Sequence, residues 1–506
     1  MCGICGTYGL CDPRLIRSMC EVMAHRGPDD EGSHLEGDIP MALGVRRLSV
    51  IDLVTGHQPI HNEDESVWVV QNGEIYNYRS LRANLEERGH SFYTTSDTET
   101  IVHLYEEHRE DCLERLNGMF AFALWDRRNG RLLIARDRLG IKPLYYTFGE
   151  GKFAFASELK ALLTVPWVTT EVNPDALDAY LTLGYVPAPL TMLKDVKKLP
   201  PGHLLNMDEH GMSIQVYWAP PLYQDPLASE EECLEGLTEL LRDSVRLRLI
   251  SDVPLGALLS GGIDSSTVVA LMSGFSSRVE TFSIGFERGF DETGYARAVA
   301  KHLGTDHHEL IVRPEVELLP ELIWYLDEPI ADQAALPTYL ICRLARSRVT
   351  VVLTGEGADE QFAGYPRYLL SLIGDRYGKL PLQLREGLLR ATRAWSLPER
   401  YLNALAKLTY AEENPIKRNL TWVSHFSPVE KAELYSGELR NALGESHPLD
   451  FLLPSLEAPP SPDSLSLLMH LDLRTWLVED ILMKVDRMSM ANSLEARVPF
   501  LDHRVV

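Results

Sequence analysis

No apolar run in this chain approaches the length of a bilayer-spanning helix, and its start has neither the basic residues nor the apolar core of an export signal. Positive charge is also scarce. Lys and Arg number 49 against 73 Asp and Glu, and the net charge of −24 argues against a nucleic-acid surface, which needs clustered Lys and Arg. Cysteine is sparse: the seven (Cys2, Cys5, Cys11, Cys20, Cys112, Cys233, Cys342) are odd in number and scattered, so reduced thiols in the cytoplasm are expected rather than a disulfide framework. Repeats and low-complexity tracts are missing. What remains is a 506-residue chain of ordinary globular composition, long enough for two or three domains.

The most informative stretch runs from Pro254 to Ser273. An apolar run ending in Leu258-Leu259 meets Ser260-Gly261-Gly262-Ile263-Asp264-Ser265-Ser266, and then an apolar helical pattern. Glycines let a backbone approach a ligand closely, and a helix N-terminus offers free N–H groups to an anion. The Walker loop solves the same problem with a lysine that is absent here. Such a turn can also be only a turn. In this setting it resembles the pyrophosphate loop of ATP pyrophosphatases, which cleave ATP to AMP and pyrophosphate while adenylating a substrate. That resemblance implies that Leu258, Ser260, Gly261, Gly262, Asp264, Ser265 and Ser266 bind ATP and pyrophosphate, with Asp264 helping to hold Mg2+.

The chain opens Met1-Cys2-Gly3-Ile4-Cys5-Gly6. With Met1 removed, Cys2 carries a thiol beside a free α-amine whose reference pKa near 8 suits it as a base. A buried strand residue is the bland alternative. A redox or metal role for the C-x-x-C spacing lacks a second pair and a following helix. Next come His25-Arg26-Gly27-Pro28-Asp29, a strand expected over Arg46–Asp52, Val67–Gln71 running into Asn72-Gly73-Glu74-Ile75-Tyr76-Asn77, then Ser96-Asp97-Thr98-Glu99 and Gly118–Asp126. Together these stretches closely resemble the class II glutamine amidotransferase domain, an N-terminal-nucleophile fold of four layers, αββα. The resemblance implies that Cys2 attacks the glutamine amide, with Asn72 and the Gly73 N–H as oxyanion hole. Arg47 would bind the α-carboxylate, and Glu74 and Asp97 the α-ammonium. Asn72-Gly73 is also an ordinary hairpin-turn pair. Cys5 departs from relatives, which often carry an aromatic residue there, so its packing must differ.

Prolines cluster between Pro187 and Gly202 and again near Pro220–Pro226, so residues 1–205 are read as the first domain and 206–228 as a linker. Ser229-Glu230-Glu231-Glu232 has capping-box form and opens the second domain, 229–506. Its strand–helix alternation implies a parallel α/β sheet with the site at the carboxyl ends of strands. After the strand Val349–Leu353, Thr354-Gly355-Glu356-Gly357-Ala358-Asp359-Glu360 places three carboxylates where they repel unless a cation joins them. This stretch and Lys484–Ala491 with Leu494–Asp502 resemble asparagine synthetases and their relatives. By that likeness Asp359 joins Asp264 at Mg2+, Glu356 handles incoming ammonium, and Gly355 lies against the nucleotide. Ser283 and Ile284 would line the adenine pocket. Lys484 and Arg487 both stand as cations for the departing pyrophosphate. Asp291-Glu292 and Asp327-Glu328 are further acidic candidates, structural or metal-adjacent, and residues 365–475 read as helical without a motif.

The resemblance implies glutamine-dependent amide synthesis. Glutamine releases ammonia at Cys2, and aspartate is adenylated by ATP. The alternatives are a sibling acting on a peptide, sugar or antibiotic carboxylate, or a glutamine-binding sensor with decayed chemistry. Expected partners are glutamine, aspartate and ATP, with no nucleic acid and no membrane, and a homodimer is among the states the resemblance allows. Relatives usually continue beyond the residue matching Val506, so a shortened C-terminus is expected.

Overall fold

In the computed structural model, which describes residues 2–221, 229–287, 292–313, 316–394, 399–410, 414–444 and 463–506, the first strand is buried along nearly its whole length. This strand, β1 (Cys2–Tyr8), holds Gly6 where any Cβ would stand 2.5 Å from the Phe155 ring, so only glycine admits the neighbouring strand. It is followed by β2 (Asp30–Glu36), β3 (Met41–Arg47), β4 (Ile60–His61), β5 (Val67–Ile75), β6 (Gly118–Asp126) and β7 (Arg131–Arg136). Then come β8 (Tyr145–Gly149), β9 (Lys152–Ala156), β10 (Val196–Lys198), β11 (His203–Asp208) and β12 (Gly211–Val216).

These strands make two six-stranded antiparallel sheets, ordered β10-β8-β9-β1-β3-β2 and β12-β11-β7-β6-β5-β4. Ile4, Leu43 and Val45 from one sheet meet Val70, Ala123 and Trp125 from the other in a dry core. The helix Pro13–Val22 covers the outer face of the first sheet, and Glu99–His108 that of the second. That is the four-layer αββα order expected from the sequence. Two local expectations differ. The strand at Arg46 ends at Arg47, because the chain turns away and Asp52 takes a positive φ of 57°. Residues 206–216, read as linker, instead form the hairpin β11–β12, which pairs with β7; residues 222–228 lie outside the described residues.

Ser229 caps the next helix, Glu230–Arg248, in a full capping box: Ser229 Oγ accepts the Glu232 N–H at 3.3 Å, and the Glu232 carboxylate accepts the Ser229 N–H at 2.7 Å. Five parallel strands follow, β13 (Leu255–Leu258), β14 (Glu280–Phe286), β15 (Asp306–Val312), β16 (Val351–Leu353) and β17 (Glu495–Arg497), ordered β15-β14-β13-β16-β17. Successive crossovers first run to one side of β13 and then return to the other. The β13–β16 boundary is therefore the switch point at which α/β sheets open a crevice. Helices lie within 366–394, 399–409, 415–443 and 464–474, as expected there, while 395–398, 411–413 and 445–462 lie outside the described residues; among the described residues no helix is long and apolar enough to cross a membrane.

The two units are bolted together by buried charge. Arg26, with no exposed surface, forks onto Asp486 at 2.8 and 3.1 Å and onto Glu158 at 3.0 Å. Arg487 reaches Glu158 at 3.0 Å and Asp327 at 3.2 Å, and Lys198 bridges Glu328 and Glu479 at 3.0 and 2.8 Å. Asp327 and Glu328 are thus structural. Replacing Asp486 by Ala would leave Lys142, 3.3 Å away, without its partner and Arg26 with one carboxylate instead of two. We expect a loss of about 3–5 kcal/mol, the usual cost of breaking a buried pair. An unchanged denaturant midpoint would contradict this reading.

Candidate active sites

The first site is built on the edges where β1, β3 and β5 meet. Cys2 pairs with Arg47 across β1–β3, and its backbone N lies 3.1 Å from Asn72 Oδ1. That contact uses the oxygen of the Asn72 amide and leaves Nδ2 buried without a partner, a free donor held beside the thiol. Asn72 and Gly73 are not a turn: they lie within β5, opposite Ala121 and Phe120. Gly73 has φ of +147°, and a Cβ there would stand 2.0 Å from the Met119 carbonyl oxygen, so the position admits only glycine. Burial pushes the Cys2 thiol up, opposed by the Arg47 guanidinium and the Leu48 backbone N–H.

A narrow pocket lined by Cys2, Arg47, Gly73, Glu74 and Asp97 adjoins the thiol. Its ends differ in charge. Arg47 donates to the Ile51 and Asp52 carbonyls at 2.9 and 2.7 Å but, among the described residues, pairs with no carboxylate. Opposite stand two buried acids. Glu74 is raised well above the ordinary range by burial, then by Asp97 and Glu495, and its Oε2 has no partner. Asp97 is raised chiefly by burial, against the pull of the Ile75 N–H at 2.7 Å. An unpaired cation facing under-neutralised acids suits a zwitterionic amino acid. All six expected residues of this site come together. Cys5 packs in the core with its Sγ 3.7 Å from Cys20 Sγ, both as free thiols.

The second site is a cleft of about 360 Å³ at the β13–β16 switch point. Leu258, Ser260, Gly262, Asp264, Ser265, Ser283, Ile284, Gly355, Glu356, Asp359 and Lys484 all line it. Gly261 turns the loop with φ of +86°, where a Cβ would meet the Ala296 N at 2.4 Å. Ser260 Oγ lies 3.0 Å from Ser265 Oγ and accepts the Gly262 N–H at 3.2 Å, so the loop is held before any ligand enters. Gly355 packs on that loop, because a Cβ would lie 2.9 Å from the Ser265 N.

Two expected contacts are corrected. Ser266 does not line the cleft; its Oγ is shut away without a partner. Arg487 is not in the cleft either, since Glu158, Asp327 and the Tyr145 hydroxyl hold it in the domain seam. Lys484, one turn earlier, does reach the cleft and pairs with Asp332 at 2.5 Å. Glu292 lines the cleft, and Asp291 lies outside the described residues. Thr354, Glu360, Tyr365 and Ile481 were missed. Glu360 sat inside the quoted acidic stretch, whereas Ile481 carried no signal beyond an apolar helix pattern.

Burial raises Asp264, with Asp359 and Glu356 adding to it, and burial also raises Asp359. The cleft is therefore short of positive charge. Five carboxylates line it, Asp264, Glu292, Glu356, Asp359 and Glu360, and among the described residues no three of them bring oxygens within 4.8 Å of one another.

Comparison with known proteins agrees with this geometry. Residues 1–218 match the glutamine amidotransferase domain model, and residues 236–506 match that of asparagine synthase. The chain belongs to the asparagine synthase family. It is 37% identical to asparagine synthetase [glutamine-hydrolyzing] 1 of Bacillus subtilis, over 99% of this chain and 79% of that one. It is 38% identical to a putative asparagine synthetase [glutamine-hydrolyzing] of Mycobacterium tuberculosis, with the same two coverages.

Two predictions follow from the site geometry. Asn72→Ala removes the free donor and is expected to slow glutamine hydrolysis about 10²–10³-fold at little cost in glutamine affinity; an unchanged kcat would contradict that role. Glu360 is raised to about 7, first by burial, while Tyr365 donates to it at 2.5 Å. A carboxyl raised on folding lends stability that is full below its unfolded pKa and is lost as pH climbs through about 7. Glu360→Gln keeps the acceptor without the charge. Its stability relative to the parent should therefore rise between pH 5 and pH 8 by about 2–3 kcal/mol, read from denaturant midpoints. A pH-independent difference would contradict this.

Proposed function

We propose that this protein makes asparagine from aspartate, ATP and the amide nitrogen of glutamine. The observation that carries the reading is the pairing, in one chain, of a zwitterion pocket beside an N-terminal thiol with a serine–glycine loop at an acidic switch-point cleft.

Once Met1 is removed, the α-amine of Cys2 takes the thiol proton, held by the same Asn72 Oδ1 that now accepts its N–H. Arg47 grips the α-carboxylate of glutamine, and Glu74 and Asp97 grip its ammonium. Sγ attacks the side-chain amide, with Asn72 Nδ2 and the Gly73 N–H receiving the oxyanion. Ammonia leaves a thioester that water then opens.

In the cleft, the Ser260–Ser265 loop and the N-terminus of the helix Ile263–Ser273 hold the ATP phosphates, with Lys484 against the departing pyrophosphate. The aspartate side-chain carboxylate attacks the α-phosphorus to give β-aspartyl-AMP. Ammonia then displaces AMP while Glu356 accepts its proton. Asp264 and Asp359 would hold Mg2+, which when bound screens the phosphate charge. An apolar cluster supports passage of neutral ammonia through the interior: Leu48, Val50 and Ile51 of the first pocket belong to it, and Ile481 of the cleft packs against it. The absence of a disulfide among the described residues fits a reducing cytoplasm.

The test separates the two halves. Cys2→Ala is expected to abolish glutamine-dependent asparagine while leaving ammonia-dependent synthesis. Asp264→Asn is expected to stop pyrophosphate release while sparing glutaminase. Product mass spectrometry with aspartate against other acids decides the acceptor, and pyrophosphate release with another acid but not with aspartate would overturn this reading.

A further inference from the structure

The outer helical layer of the first unit holds a group of side chains that neither site uses. Glu63 lies between β4 and β5, His90 follows the helix Tyr78–Glu87, and His103 and Glu106 stand three residues apart on the helix Glu99–His108. One donor atom from each lies within 4.8 Å of the other three. His90 Nδ1 is 3.5 Å from Glu63 Oε1 and 3.7 Å from Glu106 Oε2. His103 Nδ1 is 3.5 Å from Glu63 Oε2 and 3.3 Å from Glu106 Oε2. Charged N–H···O⁻ hydrogen bonds normally close to about 2.7–2.9 Å. Of these four pairs only His103 Nδ1 and Glu106 Oε2 fall within hydrogen-bond reach; the other three separations are longer and leave room for an ion among the donors, with ligand atoms about 2.0–2.2 Å from it.

The far side of each donor is also held. His90 Nε2 lies 3.1 Å from Glu107 Oε1, and His103 Nε2 faces Glu99 Oε1 at 3.6 Å with no closer partner. Glu99 is itself fixed by the Tyr93 and Thr94 N–H groups at 2.8 and 2.7 Å. Glu106 Oε1 accepts from Asn62 Nδ2 at 2.7 Å, and Glu63 Oε1 accepts the Ser91 N–H at 2.8 Å. A carboxylate behind each imidazole is the arrangement that sets tautomer and ring direction in histidine–metal sites. No Lys or Arg pairs with Glu63 or Glu106 among the described residues. By contrast, the cluster Glu280, Asp306 and His308 already has Arg278 at 3.2 and 2.8 Å from its acids.

We propose that Glu63, His90, His103 and Glu106 form a structural site for one divalent transition ion of the zinc class, tetrahedral and closed to substrate. Two imidazoles and two carboxylates suit zinc or cobalt better than magnesium, which prefers six oxygens. The bound ion would pin the β4–β5 segment to the helix that begins just after Asp97, bracing the glutamine pocket from behind.

The test uses untagged full-length protein, stripped with chelator and titrated with Co2+ in excess Mg2+. One Co2+ per chain with the intense visible absorption of a tetrahedral site is expected. Stoichiometric Zn2+ should bleach that absorption and raise the melting temperature by about 5 °C or more. Glu63→Gln, at an exposed position, and His90→Gln should each lose the absorption and the thermal shift. Absence of tetrahedral absorption in the parent protein would overturn the proposal, as would equal binding by both variants, leaving the four residues as a plain ion-pair network.

Discussion

Arg26 is the residue on which both halves of the molecule close. Its buried guanidinium donates from Nε to the Cys2 carbonyl oxygen at 3.0 Å and from its other nitrogens to Glu158 and Asp486. Burial alone would push this arginine down; Asp486 and Glu158 overcome it and hold the charge in place. A guanidinium suits the position because its planar fork can satisfy a backbone carbonyl and two carboxylates at once, which an ammonium cannot do with the same geometry. Asp486 lies on the helix Met483–Met490, and that helix also carries Lys484 into the nucleotide cleft. One buried cation therefore touches the residue that bears the nucleophile and the helix that lines the other site.

The two pockets are matched to different charges. The glutamine side separates Arg47, which pairs with no carboxylate among the described residues, from two under-neutralised acids, whereas the cleft sets five carboxylates against backbone N–H groups, hydroxyls and one lysine. Glu74, Asp97, Asp264 and Asp359 are all raised, first by burial, and such shifts cluster at functional sites.

Much of this was legible in the chain because short, ordered stretches carry it. The Ser260–Ser266 loop, the acidic run after β16 and the capping box at Ser229 are local patterns whose chemistry follows from neighbouring residues. What long-range packing decides was not legible. Lys484 and Arg487 are three residues apart on one helix, and only the placement of Glu158 and Asp327, more than 150 positions earlier, draws one into the seam and leaves the other in the cleft. Asn72-Gly73 reads as a turn by composition; close approach of the Met119 carbonyl makes it strand. Residues 206–216 read as linker beside clustered prolines, although β7 offers an edge on which they pair. The histidine–glutamate group spans positions 63 to 106 in three separate segments, a spacing no motif describes.

The central claim is that a seam locked by Arg26, Glu158 and Asp486 lets nitrogen pass from Cys2 to the nucleotide cleft without meeting solvent. Synthesis from amide-¹⁵N glutamine in the presence of an equal concentration of unlabelled ammonium salt tests it directly. The account predicts asparagine carrying ¹⁵N far above the bulk ammonium enrichment from the first turnovers onward. Label in asparagine that merely tracks the enrichment of free ammonia would contradict it.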